Sequence, residues 1–340
     1  LGSLNSNESR NVSFEFITNA KFNKKELEIF VNVTESKNKY GHENLYNVKI
    51  DEKLEVSKII VQSEEVKETQ IEKKYLKSDV DMNIQFKNKI YPHRYALVIG
   101  NEDYTSKQSG LRNEVNVEFA RNDANSFKNY LFRLGFKEDH VTVLKDATAG
   151  TMNREIAKLI QLAKLDNSSE IVFYYAGHGL PDDDKNPYLL PVDVKTINLT
   201  DDGLALKELY SKLASSNAVK ITVFLDACFS GGGRDQGLLS ARGVKIKPKQ
   251  EVFTGNMVVF ASSSGEERSL PYKEKQHGFF TYFLLKKIQE TKGDVNYGEL
   301  SKYIKEEVSR SSLLKKSLQQ TPNTKISESV TEDWEKWTFK

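Results

Sequence analysis

Cysteine is all but missing from this chain: Cys228 is the single one in 340 residues. One thiol excludes an intrachain disulfide and a Cys-rich zinc site, and it says nothing about the redox compartment. Histidine is also scarce, with five residues. No apolar run approaches the roughly 20 residues that a spanning helix needs, so no membrane partner is expected. An excess of one charge is absent too, with 50 Lys and Arg against 48 Asp and Glu and a net charge of +2. That balance gives no bulk electrostatic reason to expect nucleic acid as a partner. The opening residues, Leu1-Gly-Ser-Leu-Asn-Ser6, lack the basic start and apolar core of a signal peptide. The expectation is a soluble chain, either cytoplasmic or exported after removal of a leader.

What is present divides in two. Residues 12 to about 86 read as all-β: Val12-Ser-Phe14-Glu-Phe16 and Leu27-Glu-Ile29 alternate, as does the stretch from Lys53 to Val61, with turn-prone Asn, Lys and Gly between them. A small sandwich is expected, and its lone His42 is expected on a surface loop. After a linker ending at Pro92, strand-like and helix-like segments alternate. Buried strands are expected at Tyr95–Ile99, His140–Leu144, Ile171–Ala176, Val219–Leu225 and Met257–Ala261. Helices are expected from about Glu118 to Leu134, from a Thr151 cap to Leu165, from Leu204 to Ala214, from Gly278 onward, and from Tyr297 to Val308. Such alternation implies an α/β fold with a mostly parallel sheet flanked by helices, preceded by the small all-β domain. The expected domains are 1–90 and 91–340.

Two of those strands stop at glycines. Ile171–Ala176 runs into Gly177-His178-Gly179, and Val219–Leu225 runs into Asp226-Ala-Cys228-Phe-Ser-Gly-Gly-Gly233. In open α/β sheets, sites lie outside the carboxyl ends of strands. A lone Cys is more often core than catalyst, and a lone His beside glycines is more often a loop residue. Paired at two strand ends, they are candidates for nucleophile and base. The imidazole would hold the sulfur as thiolate or protonate a leaving amine. The glycines admit close backbone approach and leave N–H groups for an oxyanion.

Tyr-Ala-Gly-His178-Gly and Leu-Asp226-Ala-Cys228-Phe-Ser-Gly resemble the dyad segments of the caspase-like cysteine peptidases: caspases, paracaspases and metacaspases. Tyr95-Ala-Leu-Val-Ile-Gly-Asn101, Arg-Asn-Asp123-Ala, Leu-Leu-Pro-Val-Asp193, Gly278-Phe-Phe-Thr-Tyr and Gln320-Thr-Pro resemble segments of bacterial members in the same order. The resemblance covers roughly residues 94–325. It implies Cys228 as nucleophile, His178 as general acid/base, and the N–H groups of Gly179 and Cys228 as the oxyanion hole. It also implies amide hydrolysis through a thioester, with no cofactor required for the chemistry.

Caspases carry Gln two residues before the Cys, whereas this chain carries Asp226. The resemblance to paracaspases and metacaspases then implies that Asp226 and Asp123 line an S1 pocket for Arg or Lys at P1, and that peptides or proteins with basic P1 residues are the substrates. The plainer reading of Asp226 is a carboxylate that hydrogen-bonds its own loop. Glu266 and Glu267 are candidates for a third acid, and Asp182-Asp-Asp184 reads as a solvated turn. Asp201, Asp202 and Asp235 fall near positions that hold calcium in metacaspases, though Asp201 and Asp202 would equally serve as a helix cap. Residues 234–256 keep no period and read as a long loop. Arg234, Arg242, Lys245, Lys247 and Lys249 within it are candidate self-cleavage positions. The alternative function is a catalytically silent module that binds peptides or partners in the same groove. A second is an adhesion or structural role residing in residues 12–86. The oligomeric state is not legible.

Overall fold

The structure is a computed structural model that describes residues 77–109, 111, 115–229, 248–249, 251–264 and 267–340, together with the backbone of 26–34 and 41–49. The chain divides into two compact units, Leu1–Lys73 and Lys74–Lys340. In the first, β1 (Glu26–Thr34) and β2 (Gly41–Lys49) form an antiparallel hairpin, with Glu26 opposite Lys49 and Thr34 opposite Gly41. His42 therefore sits in a strand, opposite Val33, and not on the loop expected from its polar neighbours. The segments 12–16 and 53–61, on which the expected sandwich rests, lie outside the described residues.

The second unit starts before the boundary expected at residue 91. Residues 77–92 lie along it: Val80 is buried, Tyr130 donates its hydroxyl to Val80 O (2.8 Å), and the N–H groups of Asn88 and Tyr91 donate to Arg133 O and Gly135 O (2.7 and 2.8 Å). From there the strands are β3 (Arg94–Gly100), β4 (Val141–Lys145), β5 (Glu170–Ala176), β6 (Gly179–Pro181), β7 (Pro187–Leu189), β8 (Leu204–Ala205), β9 (Lys220–Asp226), β10 (Met257–Ala261), β11 (Pro271–Tyr272), β12 (His277–Gly278) and β13 (Asn323–Ile326). The helices are α1 (Ala120–Arg133), α2 (Ala149–Ala163), α3 (Leu199–Asp202), α4 (Leu206–Ala214), α5 (Phe279–Thr291) and α6 (Tyr297–Lys316).

Six strands form the main sheet in the order β13-β10-β9-β5-β3-β4, parallel except for β13 at the edge. Alternation along each strand sends successive side chains to opposite layers. Val98, Val172, Tyr174 and Phe224 join a core with α1, α5 and α6; Ile99, Phe173, Tyr175, Val223 and Leu225 join a second core with α2 and α4. Both faces are covered, which is why these strands read as unbroken apolar runs. Truncating a fully buried ring such as Phe224 to Ala costs about 3–5 kcal/mol at such a site. Among the described residues, no helix is long and apolar enough to cross a membrane.

Three elements differ from the sequence expectation for definable reasons. Thr148 caps α2, not Thr151: its Oγ1 accepts the Thr151 N–H, and the first fully buried residue of the helix is Met152, which draws the eye to Thr151. Helix α6 runs on to Lys316 because Ser312 takes the buried position after Val308, donating to Ser309 O and accepting from Gln320 N, so the apolar period ends before the helix does. The edge strand β13, Asn-Thr-Lys-Ile, shows no alternation, as polar edge strands commonly do not.

Candidate active site

The chain leaves β3 for β4 on one side, then returns to lay β5 on the other side of β3, so a crevice opens beyond the carboxyl ends of β3 and β5. Parallel pairing of β5 with β9 sets Ala176 opposite Asp226. The two chains stay side by side past the strands, since Gly177 N–H donates to Asp226 O (3.3 Å). His178 and Cys228 each lie two residues beyond the paired positions. Neighbouring strands are about 5 Å apart, so the register carries the two loops that hold His178 and Cys228 out of the sheet side by side. Both residues are buried, at 4% exposure.

The hydrogen bonds of His178 define its tautomer. Nε2 lies 2.5 Å from the carbonyl oxygen of Val115, which can only accept, so Nε2 carries the proton. In the neutral ring Nδ1 is then the basic nitrogen. The Cys228 thiol donates to Glu267 O (3.2 Å). A thiol and a base nitrogen set this way can carry nucleophilic attack on a carbonyl followed by leaving-group protonation.

Gly179 pairs with Leu189 in the small β6–β7–β8 sheet. Leu190 N–H donates to His178 O (3.0 Å), which makes 179/189 a non-hydrogen-bonded pair and turns the Gly179 N–H away from β7. A Cβ at 179 would lie 2.6 Å from the Phe229 ring and 3.0 Å from Cys228 O, so only glycine fits between the histidine and cysteine loops. Gly179 and Cys228 therefore stand next to each other, as an oxyanion hole built from their N–H groups requires.

Asp226 and Asp123 are both fully buried and both serve the start of α5. Asp226 accepts from Ser269 Oγ (2.5 Å), Thr281 Oγ1 (2.6 Å) and Thr281 N–H (3.3 Å). Asp123, in the first turn of α1, accepts from Gly278 N–H (3.2 Å) and sits 2.7 Å from His277 Nδ1. Carboxylates at a helix N-terminus are stabilised by the helix dipole. His277 is itself fully buried, and its Nε2 lies 3.2 Å from Asp81. Burial alone would favour the neutral ring, but the two carboxylates outweigh it and hold the His277 pKa at about 9. Asp81 is likewise opposed by burial, and the His277 contact keeps its carboxyl below the usual range.

The remaining candidates scatter. Glu267 is engaged through its carboxylate with Thr321 N and Oγ1 (2.5 and 3.0 Å), and Glu266 lies outside the described residues. Asp182 closes the β6–β7 turn by accepting from Asn186 N and Nδ2 (2.7 and 2.8 Å). Asp201 and Asp202 are exposed in the last half of the four-residue α3, whose cap position belongs to Asn198. No group of three or more His, Cys, Asp or Glu side chains that could hold a metal occurs among the described residues. Asp235 lies outside them, as do Arg234, Arg242, Lys245 and Lys247; Lys249 donates its N–H to Lys185 O (2.8 Å). Sequence reasoning missed Val115, which acts through a backbone atom, and His277 and Asp81, whose partners are far along the chain.

The caspase-domain family model matches residues 93–332. The crystal structure of caspase-1 from Spodoptera frugiperda is similar at 15% identity and a TM-score of 0.49, over 71% of this chain and 89% of that one. A protein of known crystal structure from Geobacter sulfurreducens is similar at 19% identity and a TM-score of 0.50, over 69% and 94%. At 19% identity the second likeness speaks for the fold alone. No curated protein sequence matches the chain.

Proposed function

Because the chain belongs to the caspase-domain family, we propose that it is a cysteine endopeptidase that cuts proteins or peptides after Arg or Lys. The observation that supports the peptidase reading is the register of β5 against β9, which ends the two strands side by side two residues short of His178 and Cys228. Nδ1 takes the thiol proton, the sulfur attacks the scissile carbonyl, and the oxyanion is held by the N–H groups of Gly179 and Cys228. His178 then returns the proton to the leaving amine, and water hydrolyses the thioester. No step runs through a metal or an organic cofactor. A requirement for calcium at Asp201, Asp202 and Asp235 is read by comparing turnover with and without a chelator.

Basic specificity rests on Asp226, two residues before the nucleophile in sequence, and on Asp123; both accept from N–H groups at the start of α5. A carboxylate in the pocket favours a cationic guest over an Asp side chain. The same specificity predicts self-processing between Arg234 and Lys249. A tethered segment meets the site at an effective concentration of roughly millimolar. Arg242 is the preferred position because Gly237 to Arg242 is the least charged approach.

A peptide set differing only at P1, followed by intact-mass analysis of the protein and of Cys228→Ala, tests the whole reading. Cleavage after Arg and Lys with Asp refused is expected, together with a cut chain only where the cysteine is present. Cleavage after Asp overturns the pocket, and an uncut chain in both samples overturns self-processing.

A further inference from the structure

Two tyrosines approach the backbone of His178 from opposite faces of the sheet. Tyr104 follows β3 and belongs to the core on the α1 side; Tyr175 is the penultimate residue of β5 and belongs to the core on the α2 side. Both are completely buried. The His178 N–H donates to Tyr104 Oη (3.0 Å). The His178 carbonyl accepts from Leu190 N–H (3.0 Å) and lies 2.8 Å from Tyr175 Oη. The Tyr104 ring also lies against the imidazole, with centroids 4.7 Å apart.

The two hydroxyls share a small set of partners. Tyr104 Oη accepts from His178 N–H and lies 3.0 Å from Leu190 O. Tyr175 Oη lies 2.8 Å from His178 O, 2.9 Å from Leu190 O and 3.4 Å from Tyr104 Oη. Asn101 Nδ2 reaches Leu190 O at 3.3 Å. Burial pushes the pKa of both phenols upward, so both keep their protons for these hydrogen bonds. The packing leaves no slack, because a Cβ on Gly177 would fall 2.6 Å from Tyr175 Oη.

We infer that Tyr104 and Tyr175 are positioning residues for His178, fixing the peptide groups on its two sides so that the imidazole presents Nδ1 to Cys228. The inference rests on the dyad reading above. Val115 O fixes one ring nitrogen, the Tyr104 ring limits rotation of the imidazole, and the two hydroxyls fix the backbone from which the ring hangs. A catalytic group must be held within about 0.5 Å of its productive geometry, and supporting hydrogen bonds of this kind supply that restraint.

The test uses the full chain as wild type, Tyr104→Phe, Tyr175→Phe and His178→Ala. Two quantities are measured: kcat and KM on a peptide with Arg at P1, and the pH profile of alkylation by iodoacetamide. The second reports on Cys228 alone, because the chain has no other cysteine. Tyr104→Phe is expected to lose about 10- to 100-fold in kcat with KM within about twofold, as for a misplaced catalytic group. Its alkylation profile is expected to move toward that of His178→Ala. Tyr175→Phe moves the same way by less, since Leu190 N–H still holds the carbonyl. Wild-type kcat and profile in Tyr104→Phe, where His178→Ala changes both, overturn the positioning role alone. If His178→Ala changes neither, the dyad falls and the positioning role with it. Should Tyr104→Phe fail to fold, Tyr175→Phe decides: folded protein with wild-type kcat and profile overturns the inference.

Discussion

At their amino ends β3, β5 and β9 carry Arg94, Glu170 and Lys220; past their carboxyl ends the same strands lead to Asn101, His178 and Cys228. At the amino ends, Glu170 takes hydrogen bonds from Arg94 Nε (3.0 Å) and Lys220 Nζ (2.9 Å). The spare donors tie down the chain terminus, with Arg94 Nη1 on Phe339 O (2.7 Å) and Lys220 Nζ on Thr338 O (2.8 Å). Burial works against the Glu170 charge, and the two cations overcome it and hold its pKa down; burial lowers that of Lys220, since one carboxylate serves two cations. At the carboxyl ends, His178 and Cys228 instead contact backbone carbonyls, those of Val115 and Glu267. A carbonyl orients a side chain without neutralising it. One end spends its charges on holding strands together, and the other holds an imidazole and a thiol on backbone oxygens.

Exchanging the kinds of damage tests this contrast most strongly. His178→Ala is expected to lower kcat by about 10³- to 10⁴-fold, because neither thiol deprotonation nor leaving-group protonation survives. Its denaturant midpoint is expected to stay near wild type. Glu170→Gln is expected to do the reverse, lowering stability by about 2–3 kcal/mol. That is slightly below the usual range for breaking a buried pair, since Glu170 keeps 17% exposure. Its kcat is expected to be unchanged in the folded protein. Unfolding curves and kinetics on the two variants check both halves, and equal damage from both variants would erase the distinction between the ends.

How much of each end was legible follows from what kind of atom does the work. The strands stood out because both faces are buried, and the His178 and Cys228 positions stood out because each run stops at small residues. The mostly parallel sheet then followed from alternation with helices. The Val115 contact was invisible, because any residue offers a carbonyl there. His277 was invisible because its partners, Asp123 and Asp81, are brought to it by tertiary packing. The sequence pattern points to Thr151 as the α2 cap because Thr151 is the polar residue nearest the first large apolar one, Met152. Thr148 does the capping from one turn earlier.

Asp226 sharpens the comparison, because it lies at the reactive end yet is hydrogen-bonded as thoroughly as anything at the other. A purely structural Asp226 and an S1 Asp226 predict different patterns in Asp226→Asn. Loss of specificity is expected to cost about 2–5 kcal/mol in kcat/KM for Arg at P1, the range for one member of a buried charge pair. A matched peptide with an uncharged P1 is expected to change little. If both peptides suffer equally and the unfolding midpoint falls, the carboxylate serves α5 through Ser269 and Thr281 and not the substrate.

The smallest expected effect belongs to a cluster of paired charges, the Asp81–His277–Asp123 contact. The folded pKa of His277 is about 9, against 6.5 for an unperturbed histidine. A raised pKa means that the folded state holds the proton more tightly than the unfolded chain does. The stabilisation is therefore complete below pH 6.5 and is lost as pH rises through about 9. Between pH 7 and pH 8 the loss is about 1 kcal/mol, close to the limiting slope for one proton. Asp81, whose pKa is held low, acts at the other end of the scale: its stabilisation is present above the ordinary carboxyl pKa and fades as pH falls through its folded value. Denaturant unfolding of wild type and His277→Gln at pH 7 and pH 8 isolates the histidine. Wild type is expected to lose stability over that step, while the variant, lower at pH 7, is expected to change less. Parallel slopes in the two proteins would mean that His277 is neutral in the fold, and Asp123 would then have a hydrogen-bond donor beside it but no cation.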